Sequence, residues 1–137
     1  MTLGPTRRTA SPAVLVADDD AAIRASVSDI LRLEGYVVAE AEDETTARDL
    51  LHTRQFDALV VDDRMSELDS MAMLEAMDTA PPAVIMSSED VDSIGRKDLA
   101  VRGIGYLRKP VDPEHLLDAV ATALGRAGPG SSPLATP

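Results

Sequence analysis

The stretch "FDALVVDDRM", Phe56–Met65, decides how the chain folds. Ala58, Leu59, Val60 and Val61 form an unbroken apolar run of strand length, and the run ends on two adjacent aspartates, Asp62 and Asp63. A strand without polar alternation is a strand covered on both faces, as in a parallel sheet packed between helices. The same pattern stands earlier, where "AVLVADDD" passes from Ala13–Ala17 into Asp18, Asp19 and Asp20. Two apolar strands that deliver acids at their carboxyl ends point to a site, because open α/β sheets bind ligands there, at a topological switch point.

Outward from these runs, strands and helices alternate. After Asp20, a natural N-cap, Ile23, Val27, Ile30 and Leu31 fall on one helical face, and Gly35 ends the helix. Tyr36–Ala41 reads as a second strand. A second helix follows, capped by Asp43, with Ala47, Leu50 and Leu51 inward. Beyond Ala58–Val61, the third strand, residues 68–77 predict a short helix with Met71, Leu74 and Met77 on one side, closed by Pro81 and Pro82. Ala83–Ser88 is the fourth strand. A weaker helix over 89–103, interrupted by Gly95, leads to a brief fifth strand at Gly105–Leu107. The last helix is capped by Asp112, has Pro113 in its first position and Gly125 near its end. Five strands alternating with five helices give an α/β fold: a five-stranded parallel sheet, right-handed crossovers and helices on both faces.

The chain has 137 residues, 45% of them hydrophobic, which suits one domain with a sizeable core. Residues 1–12 read as a disordered lead, 13–126 as the domain and 127–137 as a flexible tail. The lead "MTLGPTRRTASPA" has no apolar core of a secretory signal, and no run is long enough to cross a membrane. With no cysteine, disulfides and thiolate metal sites are excluded, and the cytoplasm is the expected compartment. Thirteen basic against 24 acidic residues leave a formal charge of −11, which opposes direct contact with nucleic acid or anionic membrane and favours a divalent cation. One Phe, two Tyr and no Trp leave no aromatic platform for bases or sugars.

Carboxylates gathered in a cleft repel one another unless a cation or a proton joins them. Mg²⁺ suits such a cluster, because it takes oxygen ligands and keeps room for water and a phosphate. One carboxylate can also take up a phosphoryl group as an aspartyl phosphate, a reaction that depends chiefly on charge neutralisation. The further parts needed are a hydroxyl donor and a lysine. Ser87 and Ser88 end the fourth strand, and Lys109-Pro110 follows the fifth. Each part has a plainer reading on its own: Asp18–Asp20 as helix caps, Asp62–Asp63 as a solvated turn, Ser87 as a strand-end hydroxyl, Lys109 as a surface lysine. Their conjunction in order, each after a strand, overturns those readings. His52 and His115 have no second ligand at metal spacing, and Met71, Met73 and Met77 read as packing.

In these motifs the chain resembles the receiver domains of two-component response regulators, the chemotaxis-protein-like family. The resemblance runs from about Ala13 to Gly125. "VLVADDD" is similar to the family's acidic pair at Asp18 and Asp19, "LVVDDRMSELDS" to its phosphorylation segment, "VIMSS" to the strand of its switch hydroxyl, and "YLRKP" to the segment of its lysine. The resemblance implies a flavodoxin-like sheet of order 2-1-3-4-5 and a phosphoacceptor at Asp62, loaded by a histidine kinase or a phosphotransfer protein. It implies Mg²⁺ held by Asp19, Asp62 and the backbone carbonyl of Arg64, with Asp18 acting largely through water. Ser87 and Lys109 bond the phosphoryl oxygens, and Tyr106 follows Ser87. The face of the fourth helix, fifth strand and fifth helix then changes shape for a downstream protein partner, and a homodimer through that face is also allowed. Arg64 and Glu89 flank the path of the hydrolytic water and are read as a dephosphorylation gate.

The chain departs from the family pattern in having Ser66 and Glu67 for Pro-Gly, Ser70 for Gly, and an acid, Asp63, where an apolar residue is usual; the stretch from Asp62 to Ser87 also looks about a helical turn short. The reading is of a signalling module rather than an enzyme, with only its own phosphorylation and dephosphorylation chemistry. Two alternatives stand beside it: a pseudo-receiver that acts as an interaction scaffold, and an aspartyl-nucleophile phosphohydrolase. The phosphohydrolase DxDx[TV] pattern finds Asp18 and Asp20 but has Ala22 at its last position.

Overall fold

The structure, a computed structural model, describes residues 11–65, 68–69, 80–89, 99 and 103–127. Five strands form one sheet: β1 (Ala13–Ala17), β2 (Val37–Ala41), β3 (Ala58–Asp62), β4 (Ala83–Ser87) and β5 (Ile104–Arg108). All neighbours are parallel, in the order β2-β1-β3-β4-β5. The described helices are α1 (Ala21–Leu33), α2 (Glu44–Thr53) and α3 (Pro113–Ala127), the last being the fifth helix of the sequence pattern.

Double-sided burial explains the unbroken apolar runs. Along β1, Val14 and Val16 join a core with Val60, Val84 and Met86 that α1 closes with Val27 and Leu31, and α3 with Leu116 and Val120. The alternate residues Leu15 and Ala17 join Leu59, Val61 and Ile85 on the other face, where α2 contributes Ala47 with Leu50 and Leu51 packed against it. Successive side chains of a strand point to opposite faces, so a strand buried on both needs an apolar residue at every position.

The caps are where the sequence places them. The Asp20 carboxylate accepts from the Ala22 and Ile23 amides, Asp43 from Thr46, and Asp112 from Glu114 and His115. Gly35 ends α1 at φ 102°, in the left-handed region, while the Tyr36 amide returns to the Leu31 carbonyl.

One boundary is corrected. Leu68 and Asp69, expected to open the third helix, instead pair antiparallel with Arg64 and Met65, in register Arg64 with Asp69 and Met65 with Leu68. The ladder gives these backbone groups partners that the first turn of a helix lacks. The rest of that helix, with Met71, Met73, Leu74 and Met77, lies outside the described residues, as do Ser66, Glu67 and Ser70. Of the fourth helix and its approach, Ser88, Glu89, Leu99 and Gly103 are described, and Leu99 is helical.

Candidate functional site

Strand register assembles the site. Ala17 of β1 lies beside Val61 of β3, so Asp18 and Asp62 leave the sheet side by side. Asp62 pairs with Met86, and Ser87 with Arg108, so Ser87 and Lys109 emerge on the same rim. Asp18 is fully buried, Asp62 is 6% exposed and Ser87 3%, whereas Asp19 stands in solvent. Among the described residues, Asp18, Asp19 and Asp62 bring one carboxylate oxygen each within 4.8 Å of one another. Lys109 Nζ reaches into this group, 2.9 Å from Asp62 Oδ1 and 3.0 Å from Asp18 Oδ2. Asp20 points elsewhere, since its carboxylate caps α1.

Burial raises the Asp62 pKa to about 6, and the charges of Asp18 and Asp63 push the same way, against the pull of Lys109. Burial alone would lower the pKa of Lys109, but its bonds to Asp62 and Asp18 outweigh that and raise it, so the ammonium keeps its charge. The donor set is hard oxygen with more negative charge than one lysine neutralises, which fits a small divalent cation such as Mg²⁺.

Asp18 is held on every side. Its Oδ1 accepts from the Asp20 amide at 2.9 Å, and its own amide donates to the Ala41 carbonyl at 3.1 Å. Arg24 Nη1 donates to the Asp18 carbonyl at 2.8 Å, while Arg24 Nε sits 3.2 Å from Glu40 Oε1. Arg32 Nη1 lies 3.3 Å from the other Glu40 oxygen. The sequence reading missed this brace. Its only signal was an arginine one turn into α1 and a lone acid near the end of β2.

Beside the cluster runs a second chain of bonds. Ser87 Oγ donates to Asp63 Oδ2 at 2.8 Å and accepts from the Glu89 amide at 3.0 Å. The Tyr106 hydroxyl donates to the Glu89 carbonyl. Asp63, noted from sequence only as an unusual residue, is thus the partner of the hydroxyl singled out as a switch. The side chain of Arg64 lies outside the described residues, and so does its pairing with Glu89. His52 bonds the Arg48 carbonyl at 2.8 Å and takes no part in the site.

Residues 14–121 match the family of response regulator receiver domains. The chain is 32% identical over 123 residues to Response regulator MprA of Mycobacterium sp., covering 88% of this chain and 54% of that protein. It is 35% identical over 121 residues to Transcriptional regulatory protein PrrA of Mycobacterium tuberculosis, covering 86% and 52%. The chain therefore spans about half the length of these curated relatives. The fold superposes on the receiver domain of the Francisella response regulator 1452 with a TM-score of 0.76 at 28% identity, over 86% of this chain and 100% of that one. Among the described residues no helix is long and apolar enough to cross a membrane.

Proposed function

The chain belongs to the response regulator receiver family, and on that premise we propose that Asp62 accepts a phosphoryl group from a histidine kinase or a phosphotransfer protein. The observation that carries this reading is the buried Asp62 carboxylate, bonded to Lys109 at 2.9 Å and crowded by Asp18 and Asp19. An Asp62 oxygen attacks the phosphorus of a phosphohistidine, the P–N bond breaks with its electrons going to the imidazole, and an acyl phosphate remains. Lys109 then passes from the carboxylate to a phosphoryl oxygen, and the Ser87 hydroxyl donates to another. Asp18, Asp19, Asp62 and the Arg64 carbonyl would hold Mg²⁺. When bound, that ion neutralises the carboxylates and the charge on the transferring group.

Ser87, Glu89 and Tyr106 already form a hydrogen-bonded run, so a pull on Ser87 is felt at Tyr106 and at the face of β5 and α3. That face, with the fourth helix, is the docking surface for a downstream protein, or for a second copy of the chain. The net charge of −11 argues against direct contact between this domain and nucleic acid, and the cytoplasm is the compartment proposed for it. Arg64 and Glu89 gate the water that hydrolyses the phosphate.

The test is incubation with acetyl phosphate and Mg²⁺, followed by intact mass and peptide mapping. One phosphoryl group on Asp62, lost in Asp62→Asn, is the expected result. Label on Asp63 would move the acceptor by one residue, and no uptake by the native protein would favour a scaffold that is never phosphorylated. Continued turnover of phosphoesters would favour the phosphohydrolase.

A further inference from the structure

We propose that Asp63 is a positioning residue that holds the Ser87 hydroxyl away from the phosphoryl site, so that phosphorylation must break an internal hydrogen bond before the switch can move. The inference rests on the reading of Asp62 as phosphoacceptor and adds to it a residue that competes with the phosphate for Ser87.

A serine hydroxyl has one proton to donate. In this structure that proton goes to Asp63 Oδ2 at 2.8 Å, while the same oxygen accepts from the Glu89 amide at 3.0 Å. A phosphoryl oxygen carries no proton to give and can engage Ser87 only as an acceptor. The two bonds are therefore mutually exclusive. The bond to Asp63 is charge-assisted and lies beside a serine that is 3% exposed, so water competes weakly for it.

The position of Asp63 is fixed independently of its side chain. Its amide donates to the Met86 carbonyl at 2.8 Å, continuing the β3–β4 ladder one step past Asp62. That step brings the Asp63 carboxylate to the end of β4, where Ser87 sits. The bond extends the run to four residues, Asp63, Ser87, Glu89 and Tyr106. Releasing Ser87 from Asp63 frees one end of that run, and the other end is the tyrosine on β5.

The experiment measures binding of beryllofluoride, a mimic of the phosphoryl group, in the presence of Mg²⁺. Calorimetric titration is run on the native chain and on Asp63→Ala, Asp63→Asn, Ser87→Ala and Asp63→Ala/Ser87→Ala, with thermal melts to show that each is folded. Asp63→Ala is expected to bind about tenfold more tightly than the native chain, the equivalent of ~1.4 kcal/mol. In the Ser87→Ala background the same substitution is expected to gain about threefold or less, since only the removed charge then counts. Asp63→Asn, neutral but still able to accept from Ser87, is expected to show that smaller gain. Equal or weaker binding by Asp63→Ala, an equal gain with and without Ser87, or an Asn variant indistinguishable from the Ala variant overturns the proposal. If the native chain binds no beryllofluoride at all, the phosphoacceptor reading itself fails and takes this one with it. Native binding with no effect of Asp63 removes only the latch.

Discussion

Replacing Asp62 with Asn is expected to stabilise the metal-free fold, although it removes an ion pair. Burial, with the charges of Asp18 and Asp63, lifts the Asp62 pKa from 3.8 to about 6 in the native state. A carboxyl whose native pKa is raised favours the fold when protonated and opposes it when ionised. Well below pH 3.8 both states hold the proton and nothing is lost. Between 3.8 and about 6 the unfolded chain ionises first and stability falls, and the loss levels off once pH is well above 6. At 1.36 kcal/mol per unit the loss is at most about 3 kcal/mol near pH 7.5 and about half that at pH 5, and solvent screening of the half-open site reduces both. Asn cannot ionise and can still accept from Lys109, which also keeps Asp18 at 3.0 Å. Allowing for imperfect mimicry, a gain of about 1–3 kcal/mol is expected, or about 4–12 °C in Tm for a domain of this size. The assay is thermal and urea unfolding of both proteins in EDTA from pH 4 to 8. The gap should widen with pH and shrink when Mg²⁺ is added, because the cation relieves the same repulsion in the native chain. A variant less stable than the native chain at pH 7.5, or a gap that is flat across the range, would refute the reasoning.

Three further outcomes are expected. Millimolar Mg²⁺ should raise the Tm of the native chain, by about 2.7 kcal/mol of stability at a hundredfold excess over Kd, and Asp19→Asn should blunt the rise in a melting titration. Leu31→Ala empties a fully buried position between α1 and the sheet and should cost about 2–5 kcal/mol in urea unfolding, with little change in Mg²⁺ affinity. Arg64→Ala should speed the decay of phosphorylated protein while leaving its formation nearly intact, as followed by mass after removal of acetyl phosphate; equal decay would dismiss the gate.

The sequence by itself determined the sheet and the rim on which the site stands. The runs ending in Asp18 and Asp62 are apolar at every position because both faces of β1 and β3 are covered, and that requirement is written locally, residue by residue. The caps at Asp20, Asp43 and Asp112 are likewise short-range, since a side chain satisfies amides two or three residues ahead. Placement of Asp18, Asp62, Ser87 and Lys109 at strand ends needed only the strand boundaries, and parallel register brought them together. Contacts between side chains from separate strands were not legible. The bond from Ser87 to Asp63 spans 24 positions, and Arg24 reaches the Asp18 carbonyl while gripping Glu40 on another strand. Such pairs depend on register, on rotamer and on how the chain bends after the last ladder bond, none of which a local pattern carries. The antiparallel pairing of Leu68 and Asp69 escaped for the same reason: their sequence suits a helix start, and only the proximity of Arg64 and Met65 gave the backbone a better partner.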